Sequence, residues 1–180
     1  MGQYYKPISL EKRQFVFSHN YDCGLKLMEH SYVGNNFVNI VENLIAEGGD
    51  WHGNRILWAG DYADADKGRQ KNVHDIIGIN KNKINPAEKQ TKYKYFINMD
   101  TKEFVDMSKI PPTFTGEDDG KKWTMEIHPL PLMTCEGNNR GGGDFRGDER
   151  DMVGIWSRNR VSVTNKKPEG YKEFIFDLIE

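Results

Sequence analysis

Cysteine is scarce in this chain: Cys23 and Cys135 are the only two among 180 residues. That is too few for a disulfide framework or for a zinc site built from cysteine alone, and a reducing cytoplasm is the expected setting. Long apolar runs are missing as well. A stretch such as Ile56 to Ala59 is far too short to span a bilayer, so no membrane partner is expected. No basic n-region precedes an apolar stretch, which speaks against a secretion signal. Gly2 invites a myristoylation reading, but Lys6 stands where that motif needs Ser or Thr. A basic excess is also absent: the formal net charge of −2 argues against a dedicated double-stranded DNA binder. The five histidines show no HExxH or comparable ligand spacing.

Aromatic side chains, by contrast, are plentiful. Nine Phe, eight Tyr and four Trp can fill one substantial core, and 180 residues suit a single domain. Alternating segments at Tyr5–Leu10, Gln14–Ser18, Leu25–His30 and Arg55–Asp64 read as strands. Tyr93–Met99 with Glu103–Met107 reads as a hairpin, and Trp123–Ile127, Val153–Trp156, Arg160–Thr164 and Tyr171–Ile179 read as further strands. Pro111 to Gly120 reads as a loop. One helix is clear. Phe37, Ile40, Val41, Leu44 and Ile45 recur at i, i+3, i+4, i+7 and i+8, with Asn39, Glu42 and Asn43 off the stripe and Gly48-Gly49 as a terminator. A second, short helix is allowed around Val73 to Ile77. The predicted architecture is one α+β domain: a mainly antiparallel sheet of about eight short strands with one amphipathic helix packed on it.

Three stretches carry candidate chemistry. The most unusual runs from His128 to Trp156 and contains Glu136-Gly137-Asn138-Asn139-Arg140, then Gly141-Gly142-Gly143, then Asp144-Phe145-Arg146. Adjacent glycines lose much backbone entropy on folding, which a close approach to a ligand would justify. Glu136, Asn138, Arg140, Gly141, Gly142, Gly143, Asp144 and Arg146 are therefore the candidate ligand-binding residues. A solvent-exposed loop without a ligand is the plainer alternative. The second stretch ends the strand at Trp58: Asp61 and Asp64, with Asp66, can offer oxygens to a divalent metal, although the spacing does not fit an EF-hand. Acidic caps on a simple loop explain the same pattern.

The third is the window from Lys67 to Lys94, where eight basic residues stand against Asp75 and Glu88. Such a stretch is either a solvated surface or an attractor for a phosphate-bearing ligand or an acidic protein face. A Cys–His nucleophile would pair Cys135 with His30, His74 or His128, but requires a thiolate and a base in hydrogen-bond reach. No catalytic residue and no cofactor is indicated. Binding without chemistry asks for less: a Gly-rich backbone and arginines for an anion, and an aromatic side chain for a base. Asp144, Asp148, Glu149 and Asp151 crowd the same loop and suit an Arg-bearing protein or a cation instead.

The opening MGQYYKP, the run YDCGLKLMEHSYVGNNFVN, the segment WAGDYAD and the stretch HPLPLMTCEGNNRGGGDFRG resemble a family of small uncharacterised proteins. That family is encoded by bacteriophages and by bacterial genomes carrying prophages. The resemblance runs from the first residue to about Val163 and is weakest across the basic window. It implies a viral accessory protein made in the host bacterial cytoplasm, of the kind that counters host defence by capturing a nucleotide signal or blocking a host protein. The resulting expectation is a binder of a nucleotide-like anionic small molecule or of a host bacterial protein. The alternative is a small metal- or carboxylate-dependent hydrolase of a phosphorylated substrate.

Overall fold

The computed structural model describes residues 2–138 and 152–178. Strand β1 (Tyr5–Ser9) runs antiparallel to β2 (Gln14–Val16), and the chain then turns through a 3-10 segment at Ser18–Tyr21. Two helices follow, α1 (Leu27–His30) and α2 (Asn36–Ile45), before β3 (Ile56–Gly60) returns antiparallel to β1 along its whole length. Helix α3 (Val73–Ile77) and the short β4 (Lys83–Ile84) lead to the pair β5 (Tyr95–Asn98) and β6 (Glu103–Asp106). A separate hairpin, β7 (Phe114–Asp118) with β8 (Lys121–Met125), precedes α4 (Pro129–Thr134) and β9 (Cys135–Glu136). Strands β10 (Val161–Thr164) and β11 (Lys172–Glu173) complete the described chain.

The larger sheet has the order β4-β2-β1-β3-β9, and the smaller one β10-β5-β6-β11. Antiparallel ladders form the middle of each. The parallel pairings β2–β4, β3–β9 and β6–β11 are two residues long and lie at sheet edges. The protein is thus mixed α/β, with several sheets of mixed strand orientation and few helices. The expected eight-stranded, mainly antiparallel sheet with one clear helix is corrected to this arrangement.

The period-2 pattern explains why β3 is buried throughout: its two faces enter different clusters. Ile56 and Trp58 join a core that also contains Phe37, Val41 and Ile45 of α2, Phe96 of β5 and Val161 of β10. Leu57 and Ala59 instead meet Ile8, Phe15, Val73 and Ile77 on the face covered by α3. The stripe on α2 therefore does what its spacing predicts, and Asn35 caps it by accepting from the Val38 N–H at 3.2 Å.

Four local expectations are overturned. Leu27–His30 is a single helical turn and not a strand, because the Glu29 carboxylate takes the Lys26 N–H at 3.0 Å and closes the turn locally. The Pro111–Gly120 loop contains strand β7, since Asp119 (φ 46°) and Gly120 (φ 75°) make the two-residue turn that a hairpin needs. Val153–Trp156 is turn, held to the end of α4 by Gly154 N–H to Leu132 O (2.9 Å) and Trp156 N–H to Met133 O (2.8 Å). Only Lys172–Glu173 of the last predicted strand pairs, although Phe176 and Leu178 are buried as their alternation requires. Among the described residues, no helix is long and apolar enough to cross a membrane.

Candidate functional site

Helix α2 carries a second stripe beside its apolar one. Asn36, Asn39 and Asn43 project toward residues 88–93, a segment without regular secondary structure, and hold it through side-chain hydrogen bonds. Asn39 clamps one residue through both its backbone groups: its Oδ1 accepts from Thr91 N–H at 3.0 Å and its Nδ2 donates to Thr91 O at 2.6 Å. Asn43 Nδ2 donates to Lys89 O at 2.6 Å, and the Tyr93 hydroxyl donates to Asn43 Oδ1 at 2.9 Å. Residues 88–93, near the end of the basic window, are thereby folded back over the helix.

A cavity of about 690 Å³ remains between α2, this segment and His128. Its wall includes two polar groups that are almost fully buried, Glu42 at 7% exposure and His128 at 3%. His128 caps α4, accepting the Leu130 N–H on Nδ1 at 3.1 Å, so its proton resides on Nε2. That Nε2–H donates to Glu42 Oε1 at 3.0 Å, while Asn39 Nδ2 donates to Glu42 Oε2 at 2.8 Å. Both imidazole nitrogens of His128 are thus engaged. The carboxylate, with about four lone-pair sites and two protein donors, retains acceptor capacity on the cavity wall. Lys92 and Lys94, both exposed, stand at the rim with the half-buried Tyr93 and Tyr95. Burial, and after it the Glu42 charge, hold the Tyr93 phenol above its ordinary pKa, although Thr91 opposes this; it therefore stays neutral.

A second cleft, of about 790 Å³, joins two of the predicted stretches: Asp64 and Asp66 line it together with Glu136 and Gly137. Arg158 organises it. Its Nε donates to Glu136 Oε1 at 2.6 Å, and its Nη2 to Glu136 Oε2 at 2.8 Å and Asp66 Oδ1 at 2.7 Å. The fork with Glu136, then that with Asp66, raise the Arg158 pKa further, and Arg158 correspondingly lowers that of Asp66. Ser157 adds its hydroxyl to Glu136. Glu136 is therefore an ion-pair partner, and Asn138 is exposed. Gly137 has a packing reason for being glycine, since a Cβ there would overlap Gln3 Oε1 and the Tyr5 hydroxyl. Arg140, Gly141, Gly142, Gly143, Asp144 and Arg146 lie outside the described residues.

Asp61 is not brought to this cleft. Its Oδ1 accepts the Tyr4 N–H and its own N–H donates to Tyr4 O, both at 3.0 Å, extending the β1–β3 ladder by one step. Among the described residues no group of three His, Cys, Asp or Glu side chains converges as a metal site. The Cys–His nucleophile is not assembled either. Burial pushes the Cys135 thiol up to about 12, and its Sγ donates to Leu132 O at 3.2 Å. His30 is occupied by Gly24 and Trp58, His128 by Leu130 and Glu42, and His74 lies on α3 with the opposite cluster.

Comparison with protein families gives no matching model, and comparison with curated proteins and solved structures gives no match. The α2 cavity was only half legible beforehand. Lys92 and Lys94 belong to the basic window, and Asn39 and Glu42 lie off the apolar stripe. Four polar residues at helical spacing (Asn36, Asn39, Glu42 and Asn43) were the signal for a second packed face.

Proposed function

We propose that the protein binds a nucleotide-like, anionic small molecule in the cavity beside α2. One observation carries this reading: a buried carboxylate, fixed by Asn39 and His128, faces a cavity whose rim bears two lysines and two tyrosines. A chamber of this size, fitted with a few fixed polar groups, suits a small molecule. Lys92 and Lys94 supply attraction for phosphate, and the tyrosine rings supply faces for a base. The resemblance to the phage-encoded family sets such capture in an infected bacterium, where it would deprive a host defence of its signal. The test is recovery of bound nucleotides from extracts of phage-infected cells, identified by mass spectrometry. The parent should retain a phosphorylated compound, and a Lys92→Ala/Lys94→Ala double variant should retain far less. An empty parent would sink the reading.

A second reading is favoured by the charges in the Arg158 cleft. Asp64, Asp66 and Glu136 face Lys67 and Arg158 there, so negative charge is in excess and a host bacterial protein presenting arginine or lysine would fit. Pull-down from host lysate with the parent and with Asp64→Lys separates the two sites. A partner lost on Asp64→Lys, with nucleotide recovery unchanged, would assign the cleft to protein binding.

A further inference from the structure

Resting on the nucleotide-binding reading, we infer that the Glu42 carboxylate selects a base whose edge presents two adjacent N–H donors, which makes the ligand a guanine nucleotide. Glu42 Oε1 accepts one hydrogen bond from His128 Nε2 and Oε2 accepts one from Asn39 Nδ2. These two donors fix the plane of the carboxylate and leave one further acceptor site on each oxygen. A ligand that displaces water from those sites has to donate to both oxygens, or the carboxylate loses hydrogen bonds on binding. A ligand that donates to both oxygens at once meets that requirement as a bidentate pair, the strong form of charge-assisted hydrogen bonding.

Guanine is the common base that can do so, because its N1–H and exocyclic N2–H lie side by side and point the same way. Hypoxanthine keeps N1–H and lacks the amino group. Adenine turns the unprotonated N1 toward the carboxylate, setting lone pair against negative charge. Cytosine and uracil each place an acceptor next to their donor. The neighbours of Glu42 cannot reverse this preference. Asn39 spends its amide on Thr91 and Glu42, and both nitrogens of His128 are already bonded. The Asn39 and His128 donors are spent, and the Thr91 hydroxyl on the same wall, which has no hydrogen-bond partner among the described residues, can donate or accept. The rim lysines, Lys92 and Lys94, then meet the phosphate irrespective of the base.

Titration calorimetry of the full chain with GMP, IMP and AMP tests this assignment. Each lost hydrogen bond to a charged group should weaken binding by roughly 10- to 100-fold, giving the order GMP, IMP, AMP. Glu42→Gln should erase most of the preference for GMP over AMP, with its melting temperature recorded to show that the variant is folded. The panel on the parent protein decides the matter even if that variant does not fold. Lys92→Ala should weaken all three nucleotides by a similar factor. Equal binding of GMP and AMP by the parent overturns the base-edge assignment while leaving nucleotide binding standing. No binding of any of the three overturns both.

Discussion

The indole N–H of Trp58 donates to Nε2 of His30 at 2.9 Å, and on the other side of the ring Nδ1 faces the Gly24 carbonyl at 3.0 Å. A nitrogen that accepts cannot carry the proton, so Nδ1–H is the donor to Gly24 and the imidazole is neutral. The pair ties α1 to the inner strand β3 of the larger sheet inside the aromatic cluster of His30, Phe37 and Trp58.

Burial holds the His30 pKa down at about 4, against 6.5 for a free side chain. The unfolded chain therefore binds more protons than the folded one between those values. The contribution of His30 is complete above pH 6.5 and is lost as pH falls through 4, a change of about 3 kcal/mol. Urea unfolding at pH 7 and pH 4.5 should show this loss in the parent and much less of it in His30→Gln. An identical pH difference in both proteins would assign the acid sensitivity to other groups.

Cys135 should resist chemistry. With the thiol buried and its pKa pushed up to about 12, iodoacetamide at pH 8 should modify the half-buried Cys23 well before it modifies Cys135. Intact-mass measurement over time should show one addition to the native protein and a second only in denaturant. Rapid double labelling of native protein would contradict the packing of β9.

Replacing Gly137 with alanine should cost about 1–3 kcal/mol, because the new methyl group would press on Gln3 and the Tyr5 hydroxyl, both in buried positions. Thermal melting reads the effect. A variant that melts with the parent would show that Gln3 can give way, and Gly137 would then need another explanation.

Arg158 combines a left-handed backbone, φ 61°, with a side chain shared between Glu136 and Asp66. Arg158→Ala should lose about 1–2 kcal/mol, a modest figure because the site is partly exposed to water. Arg158→Gly removes the same contacts but relieves the backbone, and should fall short of the alanine variant's loss by up to about 1 kcal/mol. Urea midpoints compare the two. Glycine more destabilising than alanine would deny the strain.

What could be read from the residues, and what could not, follows physical lines. Helix α2 was visible because five apolar side chains at a 3.6-residue period leave no other economical fold for that stretch. Strands β1 and β3 were visible because alternation and turn residues frame them. Strands β4, β9 and β11 are two residues each, and they exist because a longer neighbour offers free backbone groups, which no local pattern announces. The Asp119-Gly120 turn was legible as a hairpin signal, and Pro129 after His128 as a helix start. The prolines and acids around Asp119-Gly120 favour loop and outweigh the hairpin signal. For the candidate site, the polarity of Asn39 and Glu42 was plain, but their burial depends on residues 88–93 folding across them, a segment without periodicity of its own.

The edges of the larger sheet also dictate an order of assembly. Strands β1, β2 and β3 can pair once about the first sixty residues exist, and α2, lying between them in sequence, can dock at the same time. Strand β9 reaches β3 only when residue 136 is available, so synthesis on the ribosome leaves that side of β3 waiting while some seventy-five further residues are added. Pairings so distant in sequence are slow to form, because a large loop must close before any contact rewards it. The outer edge of β3 is therefore the last part of that strand to gain its partner.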